Sequence, residues 1–162
     1  MKKHILAVLV CNKTGVLYRI TGLYSRRGFN IESLSVGKTE KDGVSRITLT
    51  LYGDDATVSQ ITAQLLKLVD VISVKELPID NTVGREVCFV KLSAKGSKRA
   101  DLIQLIDIFR ASVIDAGTDA ITASLIGNSE KTDAFLRLVE PFGIIEVVRS
   151  GLMAIERGNG GL

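Results

Sequence analysis

Apolar and polar residues along this chain follow two spacings, every second residue and every third or fourth, and the same succession of spacings occurs twice. "HILAVLV" is an unbroken apolar run of strand length. After it, "NKTGVLYRITGLYSRRGFNI" sets Val16, Leu17, Ile20, Leu23 and Tyr24 at helical spacing, with Arg19, Arg26 and Arg27 off that face. "IESLSVGKTE" and "SRITLTLY" flank Asp42-Gly43, a hairpin-turn signal. In the second of these, Ile47, Leu49 and Leu51 alternate with Arg46, Thr48 and Thr50. One face of the sheet is therefore expected to be buried, and the other polar or used elsewhere. "DDATVSQITAQLLKL" carries Val58, Ile61, Leu65 and Leu68 on one helical stripe, with Asp54 or Asp55 as N-cap. "VISVKEL" completes a strand-helix-strand-strand-helix-strand unit.

Past Pro78 the succession restarts. "EVCFVKL" predicts a strand, and "SKRADLIQLIDIFRA" a helix with Leu102, Leu105, Ile106 and Phe109 inward. "SVIDA" and "AITASLIG" read as short strands around Gly117. A helix between Asn128 and Pro141 follows, then a last strand, "IIEVVRS". Two βαββαβ units predict an α+β chain of two consecutive ferredoxin-like sandwiches, each an antiparallel sheet with both helices on one face. The expected division is residues 1–77, a linker over 78–84, and a second domain over 85–162 that ends in a glycine-rich tail. Each half is small for a self-sufficient core, so open sheet faces and edges invite side-by-side pairing.

Composition narrows the class. A hydrophobic content of 46% with 24% charged residues is that of a folded globular chain. The net charge is only +3 and the basic residues are scattered, which argues against nucleic acid. "SAKGSKRADL" is the densest basic stretch and reads as a solvated helix start. The N-terminal lysines, the short apolar run and Cys11 superficially suggest an export leader. The run is short, Val10 rather than a small residue precedes Cys11, and an amphipathic helix follows at once, so no leader is expected. No stretch reaches the roughly 18 apolar residues of a membrane span, and a cytoplasmic location is expected. In that setting Asn12-Lys13-Thr14 is a chance sequon, and Cys11 and Cys88 are expected to be buried free thiols.

Catalytic constellations are sparse. The one histidine, His4, opens the first strand and reads as a surface or edge residue. No CxxC, histidine cluster, GxxxxGK[ST] or strand-linked GxGxxG is present. Asp54-Asp55 and Asp115/Asp119 are explained by turn and cap roles. A phosphoryl hydrolase of the acylphosphatase kind would need an arginine in its cradle loop, and "CNKTGV" offers only a lysine.

That loop suits a small zwitterion. Gly15 opens a helix whose unpaired N–H groups and positive dipole end attract a carboxylate, and it lets a ligand approach the main chain. Asn12 can accept from an ammonium group, and Asn30 in "GFNIES" stands at the mouth of the second strand. Phe29, Ile31, Val16 and Leu17 supply apolar surface. The same residues also read as a helix cap, a turn glycine and a loop-pairing asparagine, and the residues alone leave both readings open.

"NKTGVLYRITGLYSRRGFNIESLSVG" resembles the opening of an ACT domain, specifically that of regulatory (small) subunits of acetohydroxyacid synthase, also called acetolactate synthase. "GVSRITLTL", "QLLKLVDVISV", "REVCFVKL", "IDIFRASVIDAG" and "RSGLMAIERG" resemble that family in order and spacing, so the resemblance spans nearly the whole chain. It implies a subunit without catalytic residues that activates a large subunit and confers feedback inhibition by a branched-chain amino acid, most often valine. The cofactors it implies, thiamine diphosphate, Mg and FAD, belong to that partner. It further implies a homodimer through the ACT domain, with the effector between two chains. One chain would contribute Asn12, Gly15, Val16 and Leu17, the other Asn30 and Ile31. Cys11 and Lys13 depart from the acidic or polar residues common in the family, which leaves effector preference open. The alternative is a free-standing ACT-type amino-acid sensor without a synthase partner.

Overall fold

The computed structural model describes residues 2–26 and 28–162; Arg27, expected on the polar side of the first helix, lies outside the described residues. The first unit runs β1 (Lys2–Cys11), α1 (Val16–Arg26), β2 (Ile31–Lys38), β3 (Val44–Gly53), α2 (Asp55–Leu65) and β4 (Val71–Glu76). Its sheet has the order β2-β3-β1-β4, with all neighbours antiparallel. Val16, Ile20, Leu23 and Tyr24 of α1 and Val58, Ile61 and Leu65 of α2 pack on Leu6, Val8, Val10, Ile47, Leu49 and Leu51. This burial is what stabilises two helices of three turns each, too short to persist alone. Asp54 caps α2 by accepting from the Thr57 N–H at 2.7 Å. The helix ends at Leu65, so Leu68 reaches the core from the turn beyond it.

The second unit repeats the order: β5 (Thr82–Ser93), α3 (Lys98–Ile108), β6 (Ser112–Ala116), β7 (Ala120–Gly127), α4 (Ser129–Val139) and β8 (Ile144–Arg149). Its strands run β6-β7-β5-β8. Leu102 and Ile106 of α3 and Phe135 and Val139 of α4 are buried against Cys88, Val90, Leu92, Ile121, Ala123 and Leu125. Phe109 packs beside Phe135 with ring centroids 5.2 Å apart. The buried Glu86 carboxylate accepts from Arg149 Nη2 at 2.5 Å, and Arg149 Nη1 reaches Asp133 at 2.7 Å. Both units are thus βαββαβ sandwiches with their helices on one face, an α+β architecture as the hydrophobic spacing predicts.

Four expectations are corrected. The stretch 78–84 is less a linker than a 3-10 turn, Ile79–Asn81, running directly into β5 at Thr82. The C-terminal residues do not trail from the second domain. They form a further strand, β9 (Met153–Glu156), which pairs β5, and Gly151–Leu162 belong to the same compact unit as the residues up to Gly84. Arg85–Ser150 make up the other unit. His4 is not a surface residue: it is 1% exposed, with Nδ1 2.6 Å from Glu76 Oε1. Of the two free cysteines, Cys88 is buried but Cys11 only half so. Among the described residues, no helix is long and apolar enough to cross a membrane.

Candidate functional site

The β1–α1 loop is held by main-chain bonds rather than by its own side chains. Cys11 N–H donates to the Asp70 carbonyl at 2.8 Å, and Asn12 N–H to the Gly43 carbonyl at 2.7 Å. Gly15 has φ +85°, the left-handed region that glycine enters without a Cβ penalty. That turn lets Val16 start α1 with Arg19 N–H bonded to the Gly15 carbonyl at 3.0 Å. The Arg19 guanidinium pairs with the Asp70 carboxylate, so one aspartate braces both sides of the loop. Sequence reasoning missed this pair; Arg19 was legible only as a polar-face residue, and Asp70 lies far along the chain.

Among the described residues, no hydrogen bond involves the side chain of Asn12 or Asn30, and both residues are exposed. The helix-capping reading of Asn12 is therefore not what the structure shows. The Val16 N–H donates to the Lys13 carbonyl at 3.4 Å and the Arg19 N–H to Gly15, so among the described residues it is the Leu17 and Tyr18 N–H groups of the first turn that stay available to an anion. Val16 turns into the core at 4% exposure, so its main chain is what it offers at the loop, while Leu17 is 41% exposed. Ile31, the first residue of β2, is half-buried against the core.

The register separates the two halves of this residue set. Ile31 pairs with Leu51, and Leu51 pairs with His4 near the start of β1. At the other end of the sheet Cys11 pairs with Val44, and Lys38, closing β2, pairs with Ser45. From His4 to Cys11 at about 3.3 Å per residue is roughly 23 Å. Within one chain, then, Asn12 and Gly15 stand at one end of the sheet and Asn30 and Ile31 at the other. Asn30 borders an open cleft of about 570 Å³ that also has Phe29, Tyr52, Asp54 and Thr57 in its wall. Hydrogen bonding from Thr57 holds the exposed Asp54 carboxyl below the usual carboxylate range. No group of side chains among the described residues could hold a metal ion.

Known proteins resemble the chain over both units. A family profile described as "AHAS small subunit-like ACT domain" matches residues 6–73, and one described as "Small subunit of acetolactate synthase" matches residues 85–158. A probable acetolactate synthase small subunit of Methanothermobacter thermautotrophicus is 48% identical, covering 96% of this chain and 94% of that protein. The acetolactate synthase small subunit of Mycolicibacterium smegmatis is 44% identical, covering 98% and 94%. The crystal structure of an acetolactate synthase small subunit from Thermotoga maritima superposes with a TM-score of 0.93 at 34% identity, covering 99% of this chain and all of that one. With both profiles matched in order and relatives aligned over nearly the whole chain, the chain belongs to the family of acetolactate synthase small subunits, and its first unit carries an ACT domain.

Proposed function

We propose that this chain is the regulatory, non-catalytic partner of an acetolactate synthase large subunit, raising its activity and making it inhibitable by a branched-chain amino acid, with valine favoured. The catalytic chemistry, with its thiamine diphosphate, Mg and FAD, rests with the large subunit. The effector lies between two ACT domains. Its carboxylate meets the N–H groups at the start of α1 beside Gly15, and its ammonium group meets the Asn12 carboxamide. Its side chain packs between Leu17 and the partner's Ile31, with the partner's Asn30 closing the polar side.

One observation carries this reading: the two halves of the site sit at opposite ends of one sheet, and β2 is that sheet's edge. Two β2 edges pairing antiparallel about a two-fold axis bring the Ile31 end of one strand beside the Lys38 end of the other, the end that bears the β1–α1 loop. Such pairing also satisfies an edge that would otherwise expose unpaired main chain.

The test is co-expression with a large subunit, followed by titration of synthase activity with valine, leucine, isoleucine, glycine and lysine. The expected result is higher turnover than the large subunit alone and inhibition confined to the branched-chain set. Thermal unfolding of the small subunit should shift upward with the same ligands, as for binding to the native state alone. Turnover that does not respond to saturating small subunit would defeat the assignment of the partner. Equal shifts with all five amino acids would defeat the apolar side-chain pocket.

A further inference from the structure

The outward face of the first sheet, which alternation leaves polar or in use, is covered by the chain's own last residues. Leu152 and Ala154, 7% exposed each, pack with Ile5, Ala7 and Leu77, and Leu162 joins them at the edge. Arg46 Nη2 donates to the Ala154 carbonyl at 2.8 Å, and Lys75 Nζ pairs with Glu156 Oε2 at 2.5 Å. A small cavity of about 50 Å³ lies between this segment and Arg46, Lys75 and Leu77. Gly151 is the tightest point. A Cβ there would overlap the Leu34 carbonyl group and come 2.9 Å from the Ser35 nitrogen, so glycine is required for the chain to lie on β2. Next to it, the Leu152 N–H donates to Ser33 Oγ at 3.4 Å, and Ser33 Oγ is 2.6 Å from Thr50 Oγ1 on β3.

We propose that Gly151–Leu162 is a strap that holds β2 in position for effector binding, with Gly151 and the Lys75–Glu156 pair as its positioning residues. The inference rests on the effector-site reading above. β2 begins at Ile31, directly after Asn30, and is the edge through which that reading joins two chains. An edge strand has main-chain bonds on one side only, here to β3. A segment lying flat on Leu34 and Ser35 and anchored to β3 and β4 through Arg46 and Lys75 restricts how far β2 can bend away. The strap thus sets how well Asn30 and Ile31 are presented, without touching the effector.

The experiment uses the holoenzyme and reads three quantities: activity without effector, the valine midpoint of inhibition, and amide exchange along β2. Gly151→Val should raise the midpoint roughly tenfold, the scale on which positioning residues modulate a coupled site. Amides of β2 should exchange faster, and activation without effector should stay near that of the wild type. Glu156→Lys sets two ammonium groups against each other and should act the same way more mildly. Adding Lys75→Glu to it rebuilds the pair with reversed charges and should bring the midpoint back. That rescue separates positioning from general destabilisation, and it keeps the test decisive if Gly151→Val does not fold. Wild-type midpoints in both Gly151→Val and Glu156→Lys would overturn the strap. Asn12→Ala is the control for the site itself. A wild-type midpoint there, beside shifted ones in the strap variants, would reject the site reading and leave the strap's control of the response standing.

Discussion

At Gly15 the backbone and the charge of a ligand make separate demands. Its φ of +85° strains any side chain, although the nearest atom a Cβ would meet is Arg19 Nη1, 4.0 Å away. Asp and Asn are the residues that tolerate this region best after glycine. Gly15→Asp should therefore fold, and its carboxylate would lie about 5 Å from the effector's, a repulsion of roughly 3 kcal/mol at an effective dielectric near 20. That is on the order of a hundredfold in affinity. Gly15→Asn carries the same backbone demand without the charge and should shift the valine midpoint far less. Inhibition curves of both holoenzymes beside the wild type decide the matter, and equal midpoints for Asp and Asn would remove the carboxylate from this loop. Tyr24 poses a different residue-scale problem. It is 1% exposed, its hydroxyl has no partner among the described residues, and burial drives its pKa well above the usual tyrosine value. The unfolded chain ionises this group near pH 10 while the folded chain does not. Its contribution is therefore fully present below pH 10 and is lost as pH rises beyond it. Tyr24→Phe should remove that part of the alkaline loss and, by deleting an unsatisfied buried hydroxyl, stabilise the first unit by about 1 kcal/mol. Urea unfolding at pH 8 and pH 11 measures both effects, and a less stable phenylalanine variant would mean the hydroxyl is satisfied in solution.

The elements were legible wherever a strong period coincided with a local terminator. Asn128 shows this: its side chain accepts from the Lys131 N–H at 3.0 Å and starts α4 where the sequence places the helix boundary. Asn128→Ala should cost about 1 kcal/mol, and Asn128→Ser should recover most of it. Chemical denaturation monitored in the second unit checks this, and an unchanged midpoint for alanine would mean that Thr132 and Phe135 burial alone sets the helix start. β9 was missed for the opposite reason. Leu152 and Ala154 buried, with Met153 and Ile155 exposed, is a clean two-residue alternation. It is only four residues long, glycines lie on both sides, and the surface it covers comes from Ile5, Ala7 and Leu77, far back in the chain. His4 was misread likewise, because its partner Glu76 comes from β4 and no local spacing announces it. The candidate site follows the same division. Asn12, Gly15 and Asn30 stand out as loop residues, whereas the Arg19–Asp70 brace beside Asn12 and Gly15 depends on a contact that only the folded sheet makes.

For the whole molecule, the separation of Asn12 from Asn30 makes a prediction that no single chain can imitate. If the effector sits between two ACT domains, each site draws Asn12 from one chain and Asn30 from its partner. Homodimers of Asn12→Ala, or of Asn30→Ala, then carry a damaged residue in both sites. Either homodimer should leave the synthase active but nearly deaf to valine, since losing one charge-assisted hydrogen bond costs roughly 1.5–3 kcal/mol, on the order of ten- to a hundredfold. A mixed dimer of the two variants behaves differently. One of its sites collects both substitutions, and the other collects none. Two differently tagged chains, co-expressed and purified through both tags, should therefore recover wild-type affinity in one site per dimer. Calorimetry should show about half the wild-type stoichiometry at the wild-type dissociation constant. Were the site contained within one chain, every chain in the mixed dimer would carry a substitution, and no tight site would form. Loss of tight binding in the mixed dimer would thus reject the shared site while leaving the fold and the family as they stand. Recovery would place the effector across the β2–β2 junction, where two copies of an exposed sheet edge become one continuous sheet.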